Sequence, residues 1–283
     1  MNQRTAWRSR PYTDFENRFM ALENCTLCRG TGWKLVPRAD GAAGKVAVPC
    51  DCGMQERAVR VMERTRIPKR YEHCDFESYS TDVGSTLQQR QSLQHAKLSA
   101  QGFVRDYPGS SEKGLLFIGP SGVGKTHLAV AALKELIQRG HVGLFCDYRE
   151  LLKEIQASYN PASESTEMRI LEPIRTVEIL VLDDLGASKP SDWVRDIVGI
   201  VLNARYNENL TTIVTTNYLD SPVSEGENAR LPAGKLLPAV REDTLEQRIG
   251  SRMRSRLYEM CRTVEISAPD FRREKTQAGR ARA

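Results

Sequence analysis

One eight-residue run limits the possible folds of this chain more than any other feature. It follows an apolar stretch at 115–118 and precedes an Ala- and Leu-rich segment that Gly140 ends, as a helix C-cap does. Glycines in such a run let backbone N–H groups converge on phosphate oxygens, the lysine supplies a cation, and the threonine hydroxyl ligates Mg²⁺. The positive end of the following helix adds to the same site. The run predicts an α/β fold that binds ATP or GTP with Mg²⁺ through a phosphate-binding loop (P-loop) made of Gly119, Pro120, Ser121, Gly122, Val123, Gly124, Lys125 and Thr126.

Two carboxylates follow a second predicted strand. Residues 177–182 form an apolar run with the length of a buried parallel strand, and Asp183 and Asp184 come directly after it. Open α/β sheets bind their ligands at the carboxyl ends of the strands. We therefore expect Asp183 to join Thr126 in holding Mg²⁺, and Asp184 to orient the attacking water as a general base. An exposed acidic turn is the alternative.

An amide follows a third predicted strand, residues 211–215. Asn217 lies at its tip, where it can share the attacking water and the γ-phosphate with Asp184; a turn-forming asparagine is the alternative. The base-reading motif of GTPases, N-K-x-D, is absent from the sequence, and so is the L-S-G-G-Q signature of ABC ATPases. These absences favour an ATPase of the AAA+ class.

Residues 243–260 are predicted to form one helix, opened by a capping box of Asp243 and Glu246. Apolar residues recur at helical spacing as a buried stripe, and arginines follow one another at four-residue intervals along its edge: Arg248, Arg252 and Arg256. Like charges at this spacing repel, so an anionic partner is expected. That partner is a neighbouring subunit's ATP if one arginine acts as a finger in trans; a solvated basic face or a DNA contact is the alternative.

Paired cysteines near the N-terminus predict a metal site. A glycine-rich stretch, too short to build a core, lies between C-x-x-C and C-x-C. Four thiolates would bind Zn²⁺ and hold such a segment together through Cys25, Cys28, Cys50 and Cys52. Disulfides are the alternative, disfavoured because no secretory segment is recognisable. The other cysteines, Cys74, Cys146 and Cys261, are predicted to be core thiols.

Taken in order, these motifs resemble those of bacterial helicase-loader AAA+ ATPases of the DnaC/DnaI type, with the IstB transposition ATPases as near relatives. The resemblance covers residues 68–268. It rests on the P-loop, the Val-Leu-Asp-Asp-Leu-Gly run at 181–186, the Thr-Thr-Asn run at 215–217 and the arginine motif at 248–257. It implies a five-stranded parallel sheet flanked by helices and no C-terminal lid. It also implies Arg256 as the arginine finger and Arg252 as a second phosphate contact. Asp184 stands where the wider AAA+ pattern has a glutamate, and loaders resemble this chain in that respect.

The chain divides into three predicted parts. Residues 1–67 form the cysteine module with a helix, 68–268 the ATPase domain, and 269–283 a basic, disordered tail. A helix is expected at 86–107, and the Pro- and Gly-broken loop at 221–242 has no predicted role. At 283 residues, with 40% hydrophobic and 27% charged residues, the chain can build one sizeable core and a small module. The net charge of +5 favours an anionic partner. No run is long enough to cross a membrane, so a soluble, cytoplasmic protein without a membrane partner is expected.

The family resemblance implies that the protein uses ATP to place the replicative DNA helicase on single-stranded DNA. Lys153, Tyr159 and Arg169 are candidates for the DNA contact. Phe76 is a candidate for stacking near the adenine, and a place in the core is its alternative. One alternative is a transposition helper that oligomerises on duplex DNA, although such helpers usually lack a cysteine module. Another is a nucleotide-switch adaptor that does not hydrolyse ATP. The presence of all five site residues argues against that second alternative: Lys125, Thr126, Asp183, Asp184 and Asn217.

Overall fold

The computed structural model describes residues 24–31, 33–38, 44–50, 65–109, 113–160, 165–220 and 243–273. The predicted zinc ligand Cys52, the loop at 221–242 and residues 274–283 of the predicted tail lie outside the described residues, as does most of the helix predicted before residue 67. The chain divides into two compact units, residues 1–60 and 61–283.

In the small unit, two short strands form an antiparallel hairpin. Strand β1 (Trp33–Pro37) pairs with β2 (Lys45–Pro49), with Trp33 opposite Pro49. The larger apolar side chains of the hairpin are exposed, including Trp33, Leu35 and Val46. An isolated hairpin of this size is marginal in water.

The large unit is built on one parallel sheet of five strands, which confirms the predicted fold. Along the chain these are β3 (Gly114–Ile118), β4 (Gly143–Asp147), β5 (Ile179–Asp183), β6 (Thr211–Thr216) and β7 (Cys261–Glu265). Their order across the sheet is β4-β5-β6-β3-β7, and every neighbouring pair is parallel. All five strands therefore end at the same edge. The tips of β5, β6 and β3, which carry the predicted site residues, lie side by side.

Helices cover both faces of this sheet. They are α1 (Leu87–Asp106), α2 (Lys125–Gln138), α3 (Tyr148–Ser158), α4 (Glu167–Thr176), α5 (Asp192–Asn207), α6 (Leu245–Ile249) and α7 (Ser251–Met260). Successive residues of a strand point to opposite faces. Thus Leu115 and Phe117 pack with α1 and α2 in one core, and Leu116 and Ile118 pack with α3 to α7 in the other. Thr86 begins α1 through a capping box with Gln89, so the helix predicted at 86–107 is confirmed. No helix in the described ranges is both long and apolar enough to cross a membrane.

The single helix predicted at 243–260 is wrong. Gly250, with φ 87° and ψ 151°, separates α6 from α7. The predicted capping box is also displaced by one residue, because Thr244 and Gln247 form it instead. With the helix broken, Arg248 is not on the same helical ladder as Arg252 and Arg256. It pairs with Asp243 at 3.0 Å and donates to the Ser188 carbonyl oxygen at 3.2 Å.

Candidate functional site

The P-loop leaves β3 and turns into α2 through backbone that only glycine tolerates. Gly122 and Gly124 have φ angles of 83° and 90°. A Cβ on Gly122 would lie 1.9 Å from Asp270 Oδ1, and one on Gly124 would lie 2.6 Å from Tyr79 Cε2. Both glycines are thus required by conformation and by space. The resulting loop, at a helix N-terminus, is a cradle that fits phosphate groups.

Lys125 lies at the centre of this loop and is almost fully buried. Its Nζ donates to the carbonyl oxygens of Gly119 and Pro120, at 2.8 and 2.7 Å, and to Asn217 Oδ1 at 2.7 Å. Burial lowers the pKa of Lys125 to about 8, because the charged form is less well solvated there. The ammonium is held at the position from which it can meet a phosphate.

Asp183 is the buried acid of the pair at the end of β5. Its Oδ1 accepts hydrogen bonds from Thr126 Oγ1 at 2.8 Å and from Thr215 Oγ1 at 2.7 Å. Burial raises the pKa of Asp183, while these two hydroxyl donors act in the opposite direction. The side-chain oxygens of Thr126 and Asp183 are hard donors of the kind that Mg²⁺ selects. The donor set fits the predicted magnesium site.

Asp184 follows Asp183 in a turn where its backbone has a positive φ of 59°. Its backbone N–H donates to Thr215 Oγ1 at 2.9 Å, and its Oδ1 accepts from Asn217 Nδ2 at 2.7 Å. Arg149, in the first turn of α3, lies 3.6 Å from its Oδ2. The fold therefore brings the predicted general base and the predicted sensor into direct contact, as the adjacent tips of β5 and β6 require.

One cavity of about 1010 Å³ is lined by Lys125, Thr126, Asp183, Asp184, Thr215 and Asn217. It runs from the P-loop and the strand tips to Arg70, Tyr71, Tyr79 and Arg272. Its volume is at the upper end of the range of small-molecule sites. Phe76, the predicted stacking residue, is not part of the cavity lining. It is buried in the core to which α1 and α2 contribute.

The segment after β7 lies against the P-loop, which corrects part of the prediction of a disordered tail. Phe271 N–H donates to the Gly122 carbonyl oxygen at 3.2 Å, and residues 271–273 form a helical turn. Arg272 N–H donates to Asp270 Oδ1 at 3.0 Å, and the side chain of Arg272 joins the cavity lining. The first residues of the predicted tail therefore form one wall of the site.

The predicted arginine finger lies away from this cavity. Among the described residues, the lining contains neither Arg252 nor Arg256. Arg252 is exposed, and the Arg256 guanidinium lies 5.1 Å from the centre of the Tyr206 ring. The role of both arginines toward a second subunit stays a prediction.

Sequence reasoning missed four residues of the site. Thr215 links both aspartates, Arg149 pairs with Asp184, Tyr79 donates to the Val123 carbonyl oxygen at 3.1 Å, and Arg272 forms a wall. Only Thr215 had a detectable signal, because it precedes the asparagine motif at a strand tip. The other three reach the site from loops and helices whose positions depend on tertiary packing.

The N-terminal cysteines form a separate cluster in the small unit. The sulfur atoms of Cys25, Cys28 and Cys50 all lie within 4.8 Å of one another, and those of Cys25 and Cys50 are 3.8 Å apart. A disulfide needs about 2.05 Å, so these two are not bonded. A tetrahedral zinc ion about 2.3 Å from each sulfur would place sulfurs ~3.8 Å apart. The three described thiols fit the predicted zinc site.

The residues proposed for DNA contact lie on α3, at its C-cap Tyr159, and on α4. Lys153 pairs with Glu150 at 2.8 Å, and Arg169 is exposed. Tyr159 is 54% exposed, donates to Glu167 and accepts from Trp193 Nε1 at 3.0 Å. These side chains are accessible, and their binding to DNA stays a prediction.

Comparison with known proteins gives a consistent result. A family model described as "IstB-like ATP binding protein" matches residues 52–222, more than half of the chain. The replicative helicase loader DnaI of Bacillus subtilis (strain 168) is 28% identical over 171 residues, 56% of this chain. The replicative helicase loader DnaC of Escherichia coli (strain K12) is 25% identical over 158 residues, also 56% of this chain. The matched regions span 54% of DnaI and 61% of DnaC.

A solved structure extends this similarity to the fold. The crystal structure of a DnaC helicase loader is 31% identical, with a TM-score of 0.54, over 71% of this chain and 100% of that one. A crystal structure of DnaI is 27% identical, with a TM-score of 0.50, over 72% of this chain and 94% of that one.

Proposed function

The chain belongs to the family of IstB-like ATP-binding proteins that resemble the DnaC and DnaI helicase loaders, and we propose that it hydrolyses ATP to place a replicative DNA helicase on single-stranded DNA. One observation carries the enzymatic part of this proposal. At the sheet edge Lys125, Asn217 and Asp184 are joined by consecutive hydrogen bonds of 2.7 Å. The phosphate-binding cation Lys125, the proposed sensor Asn217 and the proposed base Asp184 are thus connected in one hydrogen-bond network.

The chemistry assigned to these residues is phosphoryl transfer to water. When Mg²⁺ is bound, it supplies positive charge to the β- and γ-phosphates. Thr126 and Asp183 would hold the metal, and the loop N–H groups with Lys125 would hold the phosphates. Asp184 would accept a proton from the attacking water while Asn217 positions its carboxylate. Asp184 has one methylene fewer than glutamate, and the Arg149 guanidinium lies 3.6 Å from its Oδ2.

The Asp184→Asn variant tests the enzymatic proposal. We expect it to retain ATP in a filter-binding assay, while phosphate release falls by about a hundredfold or more. Asp192→Asn is the matched control, because Asp192 is an exposed residue of α5 away from the cavity. Undiminished phosphate release by Asp184→Asn would remove Asp184 as the base.

The relatives support the helicase as partner, since DnaI and DnaC are both named as replicative helicase loaders. We assign helicase docking to the N-terminal module, because the nucleotide-handling groups lie in the large unit. A small metal-held hairpin can present a protein-binding surface without a large core. Zn²⁺ on Cys25, Cys28, Cys50 and Cys52 is part of this proposal.

Helicase capture tests the partner. The full chain, immobilised, should retain the purified replicative helicase of the same cell, and Cys25→Ser should lose the zinc of the N-terminal cysteine cluster and the helicase. Cys261→Ser is the control, since Cys261 is buried in the large unit. Both variants should still bind ATP. If Cys25→Ser holds the helicase as tightly as the wild type, docking by the module is wrong. Capture of a transposase with no helicase binding would favour the transposition helper.

Single-stranded DNA is the proposed nucleic-acid ligand, and we propose that Lys153, Tyr159 and Arg169 contact it. An exposed aromatic ring can stack on a base, and exposed basic side chains can pair with the phosphate backbone. Binding should weaken as salt rises, because counterions are released from the DNA. Duplex DNA bound in preference to single strands would contradict this assignment.

We also propose that Arg256 of one subunit completes the ATP site of another, so that the active form is an oligomer.

A further inference from the structure

A second group of metal-ligating side chains lies in the large unit. His73 and Cys74 follow the 3₁₀ turn Lys69–Tyr71, and His127 follows the last residue of the P-loop on α2. One ligand atom from each of the three lies within 4.8 Å of the others. We propose that these three side chains bind a thiophilic divalent cation such as Zn²⁺. The proposal is independent of ATP hydrolysis and of helicase loading.

The donor set suits such an ion. One sulfur and two imidazole nitrogens are ligands that zinc accepts, at about 2.3 and 2.0–2.1 Å, which places tetrahedral ligand atoms ~3.3–3.6 Å apart. The Cys74 sulfur is 4.0 Å from His73 Nε2. The His73 and His127 ring centres are 6.2 Å apart, with their planes at 83°. Movements of about half an ångström in His73 and Cys74 would bring these two atoms to ligand separation.

One of the imidazoles is oriented by a contact typical of metal-ligating histidines. His127 Nε2 lies 2.7 Å from the Asp75 carbonyl oxygen. A carbonyl oxygen can only accept, so Nε2 carries the hydrogen and, in the neutral ring, Nδ1 carries the lone pair. A backbone carbonyl of this kind fixes the tautomer and the ring orientation of metal ligands in proteins.

The loop that carries the other two ligands is fixed to the same helix. Lys134, on α2, donates from Nζ to the Glu72 carbonyl oxygen at 2.7 Å and to the Cys74 carbonyl oxygen at 3.0 Å. The Asp75 carboxylate in turn accepts from Ser78 N–H at 2.6 Å. The three ligands are therefore positioned by α2 and by a loop tied to it, which is the support that a preformed metal site needs.

The group also has an open side. His73, Cys74 and His127 all line the cavity that contains the P-loop. Cys74 is almost fully buried, whereas His73 is exposed. Three protein ligands with a fourth position open to a cavity is the pattern of zinc sites that bind water or another small ligand. The ion would enter and leave through the cavity.

Metal counting tests the site on the full chain. Wild type and Cys74→Ser, each loaded with excess Zn²⁺ and freed of unbound metal, should differ by one equivalent per chain. This difference is independent of whether the N-terminal cysteines hold an ion. With Co²⁺ as the probe, the thiolate-to-cobalt absorption should decrease in Cys74→Ser. His73→Ala should weaken Co²⁺ binding at this site by at least about tenfold. His73 is exposed, so its removal should leave the fold intact, and thermal unfolding of each variant checks this.

His95→Ala is the matched control, because His95 is an exposed histidine of α1 outside the cavity lining. It should leave the metal count and the absorption unchanged. Equal zinc content in wild type and Cys74→Ser would overturn the proposal. So would a cobalt spectrum and affinity that His73→Ala leaves unchanged. Neither readout needs ATP or a helicase, so failure here would leave the proposed ATPase untouched.

Discussion

The two adjacent aspartates of the candidate site have different surroundings, although they are the same residue type. Asp183 is 3% exposed and receives two hydroxyl hydrogen bonds, whereas the side chain of Asp184 is 31% exposed and lies beside Arg149. A buried, oriented carboxylate suits a metal ligand, and a more accessible one suits contact with water. The left-handed turn at Asp184 produces this difference, because it directs consecutive side chains to different environments.

The depressed pKa of Lys125, about 8, predicts that nucleotide binding depends on pH. Polyphosphate binds the charged ammonium better, so binding takes up a proton when the lysine is neutral. Affinity should be nearly constant below the pKa and fall by about tenfold per pH unit as pH rises above it. Equilibrium binding of a fluorescent ATP analogue between pH 7 and 10 measures this change. Lys125→Arg should give a flat profile over the same range, since a guanidinium stays charged. Parallel profiles for the two proteins would contradict the assignment.

At the residue scale, local motifs were predictable and their partners were not. Lys125, Thr126, Asp183 and Asn217 are recognisable because each stands at a fixed place beside a predicted strand. Arg149 contacts Asp184 only because β4 is the neighbour of β5 in the sheet. That neighbourhood is a property of strand order, which hydrophobic periodicity does not report.

At the element scale, the strands and most helices could be predicted from their hydrophobic patterns, whereas the break at Gly250 could not. The apolar stripe continues through residues 245–260 at helical spacing, and an isolated glycine inside such a pattern is compatible with a helix. Only the backbone dihedral angles distinguish a helix that continues through the glycine from one that breaks there. Gly250 has φ 87° and ψ 151°, a region that is essentially restricted to glycine.

Two glycine substitutions should therefore have opposite effects on stability. Gly250→Ala should reduce the free energy of unfolding by about 1–2 kcal/mol, since alanine is strained at these dihedral angles. No described atom lies within 4 Å of the added Cβ, so the cost is one of backbone conformation. Gly199 lies inside α5, where its nearest neighbour would be 3.8 Å away. Gly199→Ala should raise the free energy of unfolding by about 0.5–1 kcal/mol. Urea unfolding of both variants measures the difference, and a stabilised Gly250→Ala would show that the break has no conformational requirement.

The segment after β7 makes a second element-scale prediction. Arg272 lines the cavity, and its positive charge acts on Lys125. A bound triphosphate should therefore be attracted by both residues. We expect Arg272→Ala to weaken ATP binding by about fivefold, the effect of a partly exposed charge of ~1 kcal/mol. The loss should be smaller for ADP and smallest for adenosine. Arg273→Ala is the control, because Arg273 belongs to the same helical turn and is not part of the cavity lining. An equal loss for adenosine and ATP would show a steric effect and contradict a charge effect.

At the scale of the whole molecule, the chain separates a thiol-rich hairpin from a nucleotide-binding sheet. This separation could be predicted because cysteine spacing and the P-loop are both local signals. Partners could not be predicted in the same way. The relatives match over little more than half of their own length, and a surface for another protein leaves no periodic pattern in a sequence.

Arg256 makes the last prediction, which concerns two copies of the chain. Its guanidinium lies against Tyr206, outside the cavity lining, and its buried Nη1 has no hydrogen-bond partner within the described part of the chain. Leaving such a donor without a partner is unfavourable, and a rotation of the side chain away from Tyr206 would let it pair with an anion of a second subunit. Arg256→Ala and Lys125→Ala should each lack ATPase activity. The first variant has no arginine finger to give to a neighbouring subunit, and the second has no lysine to bind the phosphates.

Mixing the two variants should restore part of the activity, because some interfaces then combine an intact pocket with an intact arginine. Phosphate release measured against the mixing ratio should reach its maximum near equal amounts. Arg252→Ala mixed with Lys125→Ala shows whether the neighbouring arginine shares this role. Absence of rescue, at concentrations where an affinity-tagged variant co-purifies with the untagged one, would place the function of Arg256 within its own subunit. In that case Tyr206→Phe, which keeps the ring beneath the guanidinium, should be as active as the wild type, and Tyr206→Ala should be impaired.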